Sequence, residues 1–200
     1  MAVNLFRFEM KGFYIFFLFL LFLACDSGLP VKGELPDLPL KDQDGKKFTF
    51  SQLRGKVLIV SYTYTHCPDI CPMTIKKMKG IENSIKESGF QDSVYFISIS
   101  LDPKRDTPEV LREHARMNNS DLRNWFFLTG NEVIINSIMK SAGVAAINDP
   151  TQYSENKEPY YFITHTDRIS LVDKRGRIRK HYKGSSFDIK EVLENIERLL

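Results

Sequence analysis

Val57-Leu58-Ile59-Val60-Ser61-Tyr62-Thr63-Tyr64, followed by Thr65-His66-Cys67-Pro68-Asp69-Ile70-Cys71-Pro72-Met73, is the stretch from which the rest of the chain can be read. Its first half is an apolar, β-branched run that predicts a buried strand. Residues 73–87 then carry Ile75, Met78, Ile81 and Ile85 at helical spacing. The two cysteines therefore sit where a strand hands over to a helix. At the first turn of that helix, residues four apart share a face, with Cβ atoms roughly 5–6 Å apart. Two sulfurs at that spacing can close into a disulfide or hold one soft metal ion between them. The positive end of the helix dipole favours thiolate over thiol. Pro68 and Pro72 suit a first helical turn, where a missing amide hydrogen costs nothing. The stretch itself leaves open whether the pair does redox chemistry, binds metal, or does both.

Working outward, strand and helix patterns alternate. Residues 93–101 read as a strand through Val94, Phe96, Ile97 and Ile99, and residues 107–118 as a helix opened by Thr107-Pro108-Glu109. Residues 125–128 are a short strand, and residues 131–142 a helix ended by Gly143. Residues 169–173 and 178–182 flank Lys174-Arg175-Gly176 as a hairpin. Residues 188–200 close the chain as an amphipathic helix, with Ile189, Val192, Leu193, Ile196 and Leu199 inward. This order is that of an α/β, thioredoxin-like fold with cysteines at the end of the first core strand. Upstream, residues 35–37, the turn at 40–45 and residues 46–50 predict an N-terminal β-hairpin extension. A polar, tyrosine-rich insertion lies between Gly143 and Thr164. It reads as a surface loop or hairpin beside the site, where partners are commonly recognised.

Two hundred residues fit one domain behind a leader. Hydrophobic residues at 42% and charged residues at 26% indicate a globular chain and not a disordered one. The formal charge of +3 is spread along the sequence, and no reading motif accompanies it, which argues against nucleic acid as a partner. Three cysteines leave Cys25 outside the pair. Arg7 and Lys11 precede an apolar run over 13–23, which is short for a spanning anchor and ends Phe22-Leu23-Ala24-Cys25. That ending is similar to a lipoprotein cleavage box, so Cys25 is the expected lipid attachment site, with a retained signal anchor as the alternative. The expected organisation is a leader over 1–25, a tether over 26–34 and one domain over 35–200. Either attachment places the domain outside the cytoplasm, at the membrane. There a thiol pair needs a reductant or a metal to escape oxidation.

Thioredoxin-like oxidoreductases usually place a proline before the strand facing the cysteines. The corresponding segment here is Phe162-Ile163-Thr164-His165-Thr166-Asp167, which has His165 and no proline. A histidine opposite two thiolates completes a set suited to copper, whereas closed structural zinc sites want four ligands. The bland reading of His165 is a loop histidine. His66 is expected to point away at the strand end, His114 to lie on a solvated helix face, and His181 to lack a partner. Met73 and Met78 read as core and not as thioether ligands. Asp102-Pro103-Lys104-Arg105-Asp106-Thr107-Pro108 follows a strand end, where ligands collect in α/β sheets. Asp106 or Thr107 is expected to cap the next helix. Asp102 either makes a turn or places negative charge near the cysteines.

Cys67-Pro68-Asp69-Ile70-Cys71-Pro72, the Asp102–Pro108 segment, Leu128-Thr129-Gly130, and His165 ahead of Leu171-Val172-Asp173 together resemble the Sco/SenC family over residues 35–200. The resemblance implies a membrane-attached, thioredoxin-like copper protein that helps assemble the CuA centre of cytochrome c oxidase. It implies that Cys67, Cys71 and His165 bind one Cu(I) or Cu(II), that Asp102 assists, and that the partner is the copper-bearing oxidase subunit or another copper acceptor. Two features depart from the family: the lipobox-like leader replaces a longer anchor, and Ser61-Tyr62-Thr63-Tyr64 is more polar than usual. An assembly factor is thus expected in preference to an enzyme, with reduction of the acceptor's cysteines as a second use of the pair. The rivals are an extracytoplasmic thiol–disulfide oxidoreductase, a copper sensor or storage protein, and a peroxidase.

Overall fold

In the computed structural model, which describes residues 28–157 and 159–200, the chain enters along a sheet edge as β1 (Gly33–Glu34). A hairpin of β2 (Leu40–Lys41) and β3 (Lys47–Phe48) follows. Its turn is closed by Asp42, whose Oδ1 accepts from the amides of Asp44 and Lys46 at 2.9 Å each. A 3-10 turn (Phe50–Leu53) leads to β4 (Val57–Thr63), α1 (Ile70–Glu87), β5 (Val94–Ser100) and α2 (Pro108–Met117). Next come β6 (Trp125–Leu128) and α3 (Glu132–Ser141). The insertion contains β7 (Ala146–Asn148), β8 (Gln152–Tyr153), β9 (Pro159–Tyr160) and β10 (Ile163–His165). The chain ends with β11 (Ile169–Val172), β12 (Arg177–Tyr182) and α4 (Ile189–Glu197).

The main sheet has the order β1-β12-β11-β4-β5-β6. Strands β4, β5 and β6 run parallel, and β11 lies antiparallel to both β4 and β12. Every residue of β4 is buried because helices or the hairpin cover both faces. Val57 and Ile59 face a layer of α1, α2 and α4 built on Ile75, Met78, Ile81, Leu111, Val192 and Ile196. Leu58, Val60 and Tyr62 face α3 and the N-terminal hairpin, against Ile135, Ile138, Leu40 and Phe48. Each fully buried aliphatic side chain of these layers contributes about 1.5–3 kcal/mol relative to exposure. Ser61 is tolerated in the middle of the run because its hydroxyl lies 3.0 Å from Ser98 Oγ, which also accepts from Trp125 Nε1. The end of β4 is thereby a fixed platform for the cysteine segment.

Two expectations change here. Helix α1 begins at Ile70 and not at Met73, so Cys67 precedes the helix in a turn instead of sharing a helical face with Cys71. Part of the expected tether is docked on the domain: Leu29 is buried in the core, its carbonyl accepts from the buried Arg179 guanidinium, and β1 pairs with β12. Cys25 and the leader lie outside the described residues. Among those residues, no helix is long and apolar enough to cross a membrane.

Candidate metal centre

Beyond β4 the chain turns sharply, with the Cys67 amide donating to the Tyr64 carbonyl at 3.3 Å. Asp106, fully buried in the loop after β5, fixes this turn from below. Its carboxylate accepts from the Thr65 amide (3.1 Å), the Thr65 hydroxyl (2.6 Å) and the Ser100 hydroxyl (2.6 Å). Asp69 then takes the N-cap position, and Cys71 and Pro72 fall in the first turn of α1, where free amides point outward. Cys67 is half-buried, while Cys71 is buried against Tyr64 and Ile163.

His165 arrives on a different support. Strands β7 and β10 form their own two-stranded sheet, with His165 opposite Ala146. The Tyr64 hydroxyl accepts from the Ile163 amide at 3.1 Å, which ties β10 to the end of β4. His165 Nδ1 lies 3.0 Å from the Thr166 carbonyl, an atom that can only accept, so Nδ1 carries the proton. Nε2 is then the nitrogen free to act as a donor, and it lies 3.9 Å from Cys71 Sγ. The Tyr64 ring meets the imidazole edge-on, 6.1 Å between centroids. One ligand atom from each of Cys67, Cys71 and His165 falls within 4.8 Å of the others. Behind them is a cavity of only about 10 Å³, lined by Thr63, Cys71, His165 and Arg168, room for one water at most. The site is closed at the back and opens at Cys67.

The two thiols are electrostatically unequal. The Cys71 thiol donates to the Cys67 sulfur, and this bond more than offsets the cost of Cys67's partial burial. His165 and the amides of Asp69 and Cys71 add to it, holding Cys67 far below the ordinary thiol range. The same bond and burial push Cys71 up, so it keeps the proton. Burial alone would lower His165, but the Cys67 sulfur and the Thr166 carbonyl outweigh it and raise the imidazole above its ordinary value. Burial likewise raises Tyr64, which stays a neutral hydrogen-bonding phenol. One ready thiolate, one protonated thiol and one oriented imidazole make a donor set for a soft or borderline ion, and equally a dithiol for exchange chemistry.

Asp102 is not in the three-residue cluster. Its carboxylate pairs with Arg105 and accepts from the Tyr161 hydroxyl at 2.9 Å. Arg105 also donates to the Tyr161 carbonyl at 2.9 Å and stacks on the Tyr161 ring at 3.6 Å. The segment Asp102–Asp106 therefore grips both sides of the site, Thr65 through Asp106 and the histidine-bearing insertion through Arg105. The cap is Thr107, one of the two residues expected there, accepting from the Val110 amide at 3.4 Å; the anchoring role of Asp106 is the part that sequence reasoning missed.

Of the other candidates, His66 stays outside the cluster, exposed and 3.0 Å from Thr65 Oγ1, as expected. His114 is not on a solvated face: α2 packs on β6, its ring meets Phe127, and burial lowers its pKa. His181 does have a partner, the Ser170 hydroxyl at 3.0 Å. Met78 is core, but Met73 is 49% exposed, since it lies two residues past Cys71 and so on the opposite side of α1.

The family model described as SCO1/SenC matches residues 34–200. The SCO2-like protein RP587 of Rickettsia prowazekii is 34% identical over 157 residues, covering 78% of this chain and 71% of the relative. Among solved structures, a SCO1/SenC family lipoprotein from Bacillus anthracis is similar with a TM-score of 0.72 at 28% identity, over 85% of this chain and 96% of that one. Bradyrhizobium japonicum ScoI with copper bound gives a TM-score of 0.69 at 29% identity, over 86% of this chain and all of that one. The fold is the thioredoxin-like α/β fold of these proteins, and the chain belongs to the SCO1/SenC family.

Proposed function

We propose that this SCO1/SenC chain takes up one copper ion through Cys67 Sγ, Cys71 Sγ and His165 Nε2 and delivers it to an acceptor, the copper-bearing subunit of cytochrome c oxidase, during assembly of the CuA centre. The observation that carries the reading is the convergence of two sulfurs and one imidazole nitrogen within 4.8 Å, with His165 Nδ1 already committed to the Thr166 carbonyl. That second bond fixes the ring and aims Nε2, as outer hydrogen bonds to metal-bound histidines generally do. A solved relative, ScoI of Bradyrhizobium japonicum, holds copper on the same fold. Three donors at an open-faced site suit transfer, because an incoming ligand can displace one donor at a time. The leader and the likeness to a Bacillus anthracis lipoprotein support a membrane-attached place outside the cytoplasm, with Cys25 as the lipid site.

A second use of the pair is favoured by the inequality of its thiols. Cys67 thiolate attacks one sulfur of an acceptor disulfide, and the other acceptor sulfur leaves as thiolate. Cys71, once deprotonated, attacks the Cys67 sulfur of the mixed disulfide. The acceptor leaves with both cysteines reduced, and Cys67–Cys71 carries away the oxidation as a disulfide.

The test is anaerobic titration of the reduced protein with Cu(I) against a competing chelator, repeated with His165→Ala. One tight equivalent that weakens by at least about tenfold in the variant supports the three-donor site. Unchanged affinity removes His165 from it. Appearance of CuA absorbance in the oxidase domain after mixing separates delivery from sensing or storage.

A further inference from the structure

Four hydroxyl-bearing residues in a row, Ser61-Tyr62-Thr63-Tyr64, close β4 and lead into the cysteine turn, and all four are buried. Buried hydroxyls nearly always find a partner, because an unpaired one loses its bonds to water and regains nothing. Ser61 Oγ lies 3.0 Å from Ser98 Oγ, and the Tyr62 hydroxyl lies 3.0 Å from Ser170 Oγ. The Tyr64 hydroxyl accepts from the Ile163 amide at 3.1 Å. Thr63 breaks the pattern: its Oγ1 is fully buried and has no partner in hydrogen-bond geometry. The residue that could serve it as Ser98 serves Ser61 is Ser100, opposite Thr63 in the β4–β5 ladder. Ser100 is already engaged, donating to Asp106 Oδ2 at 2.6 Å and accepting from the Asp102 amide at 3.0 Å.

What the hydroxyl faces is the Cys71 sulfur. Thr63 and Cys71 line the same cavity of about 10 Å³ behind the metal centre. The other threonine there, Thr74, already donates to the Ile70 carbonyl at 3.2 Å. The Cys67 bond and burial push the Cys71 thiol up, and the Thr63 hydroxyl is the first of the groups that draw it back down. A protonated thiol is a weak acceptor, which is why the two groups sit side by side without a formed bond. A thiolate is a strong one: a hydrogen bond to a charged partner is shorter and roughly twice as strong as a neutral bond.

We propose that Thr63 is a positioning residue of the copper site, its hydroxyl donating to the Cys71 sulfur when that sulfur is held as a metal-bound thiolate. This rests on the copper reading given above and names what supports its most buried ligand. To act as a ligand Cys71 gives up its proton, which leaves to solvent as the ion enters. The sulfur then carries negative charge in a place where burial disfavours charge, and it needs a donor. Thr63 supplies one by rotating its hydroxyl hydrogen, with no movement of β4. The orphaned hydroxyl of the metal-free protein and the buried thiolate of the loaded protein thus satisfy each other.

Thr63→Val tests the proposal, since it keeps the shape of the side chain and removes the hydroxyl. Three quantities are measured: the urea midpoint of the metal-free protein, Cu(I) affinity by chelator competition, and the sulfur-to-copper absorption of the Cu(II)-loaded protein. Metal-free Thr63→Val is expected to unfold at the same urea concentration as wild type or a higher one, because no bond is lost. Its Cu(I) affinity is expected to fall by about tenfold. Its absorption is expected at longer wavelength, because a hydrogen bond that stabilises the sulfur electrons raises the energy needed to move one to copper. Thr63→Ser, which keeps the hydroxyl, is expected to restore both wild-type values. Wild-type affinity or an unmoved absorption in Thr63→Val overturns the role of Thr63 and leaves the copper reading standing. So does a Thr63→Ser variant as impaired as Thr63→Val, which would assign the effect to packing. A metal-free Thr63→Val that unfolds at clearly lower urea would show the hydroxyl already bonded, as to a water in the cavity, and overturns it too. Wild type without a tight equivalent of Cu(I) overturns the copper reading and this inference with it.

Discussion

The two halves of the metal centre are built on unlike foundations. The cysteines hang from β4, whose residues are all buried and which is bonded to β5 on one side and β11 on the other. His165 rides on a two-stranded satellite sheet attached to the domain by polar contacts, among them Tyr64 to Ile163 and Arg105 to Tyr161, and by a small apolar cluster of Tyr64, Cys71 and Ile163. Strands of a covered central sheet open only with global unfolding, whereas a satellite with little core opens locally at lower cost. The difference suits the proposed delivery, in which an ion is held and then released. The two sulfurs stay in place, and the imidazole is the group whose support can yield.

The comparison breaks most sharply at the ligands themselves. Cys71→Ser is expected to lower Cu(I) affinity by more than about 100-fold, beyond the ~10–100-fold usual for loss of an outer-shell partner, and to abolish the intramolecular disulfide. His165→Ala should cost less and leave the Cys67–Cys71 redox couple in place. Chelator competition and thiol counting on the two variants check both. A larger loss for His165→Ala than for Cys71→Ser would invert the proposed order of the two halves.

Asp106→Ala strikes the rigid half. It removes three hydrogen bonds to a buried carboxylate and strands the Thr65 amide and hydroxyl, so a loss of about 3 kcal/mol in unfolding free energy is expected in urea denaturation. Arg105→Ala strikes the satellite. It cuts the links to Asp102 and the Tyr161 carbonyl and the stacking on the Tyr161 ring, none of which belongs to the main core. Its expected signature is a roughly tenfold weaker Cu(I) site with a nearly unchanged denaturation midpoint. Arg105→Lys should not rescue it, because a lysine lacks the planar fork that serves two partners at once. A global destabilisation by Arg105→Ala matching that of Asp106→Ala would mean that the two halves are one cooperative unit.

Sequence pointed to the proposed ligands more readily than to their supports, for a physical reason. Cysteine pairs at a strand–helix junction and a lone histidine before a late strand carry their chemistry in residue type and order. Asp106 does not: its partner Thr65 lies 41 residues away, and nothing local distinguishes a buried anchoring aspartate from a helix cap. The insertion does form the hairpin expected of it, but its strands are two or three residues long, too short for any periodicity to place them. Met73 sits beside the apolar stripe of α1 in sequence, but residues two positions apart on a helix are separated by about 200° around its axis. His114 and His181 acquired their surroundings from β6 and β11, which no spacing within their own segments could indicate.

The smallest expected change is a flat line, and it isolates the cysteine half from the histidine half. An ordinary thiol loses thiolate by roughly two orders of magnitude between about pH 8 and pH 6, and its alkylation slows in proportion. Cys67 is held well below that range by the Cys71 thiol, His165 and the first amides of α1, so it stays ionised across the whole interval. Its iodoacetamide reaction should therefore vary by less than about twofold, while Cys71, pushed up and buried, stays unmodified. In Cys71→Ala the strongest of those donors is lost, and a slope should return at the acid end. In His165→Ala only a lesser one is lost, and the line should stay nearly flat. A steep profile in wild type would show that the thiol pair shares no proton, and would remove the inequality on which its exchange chemistry depends.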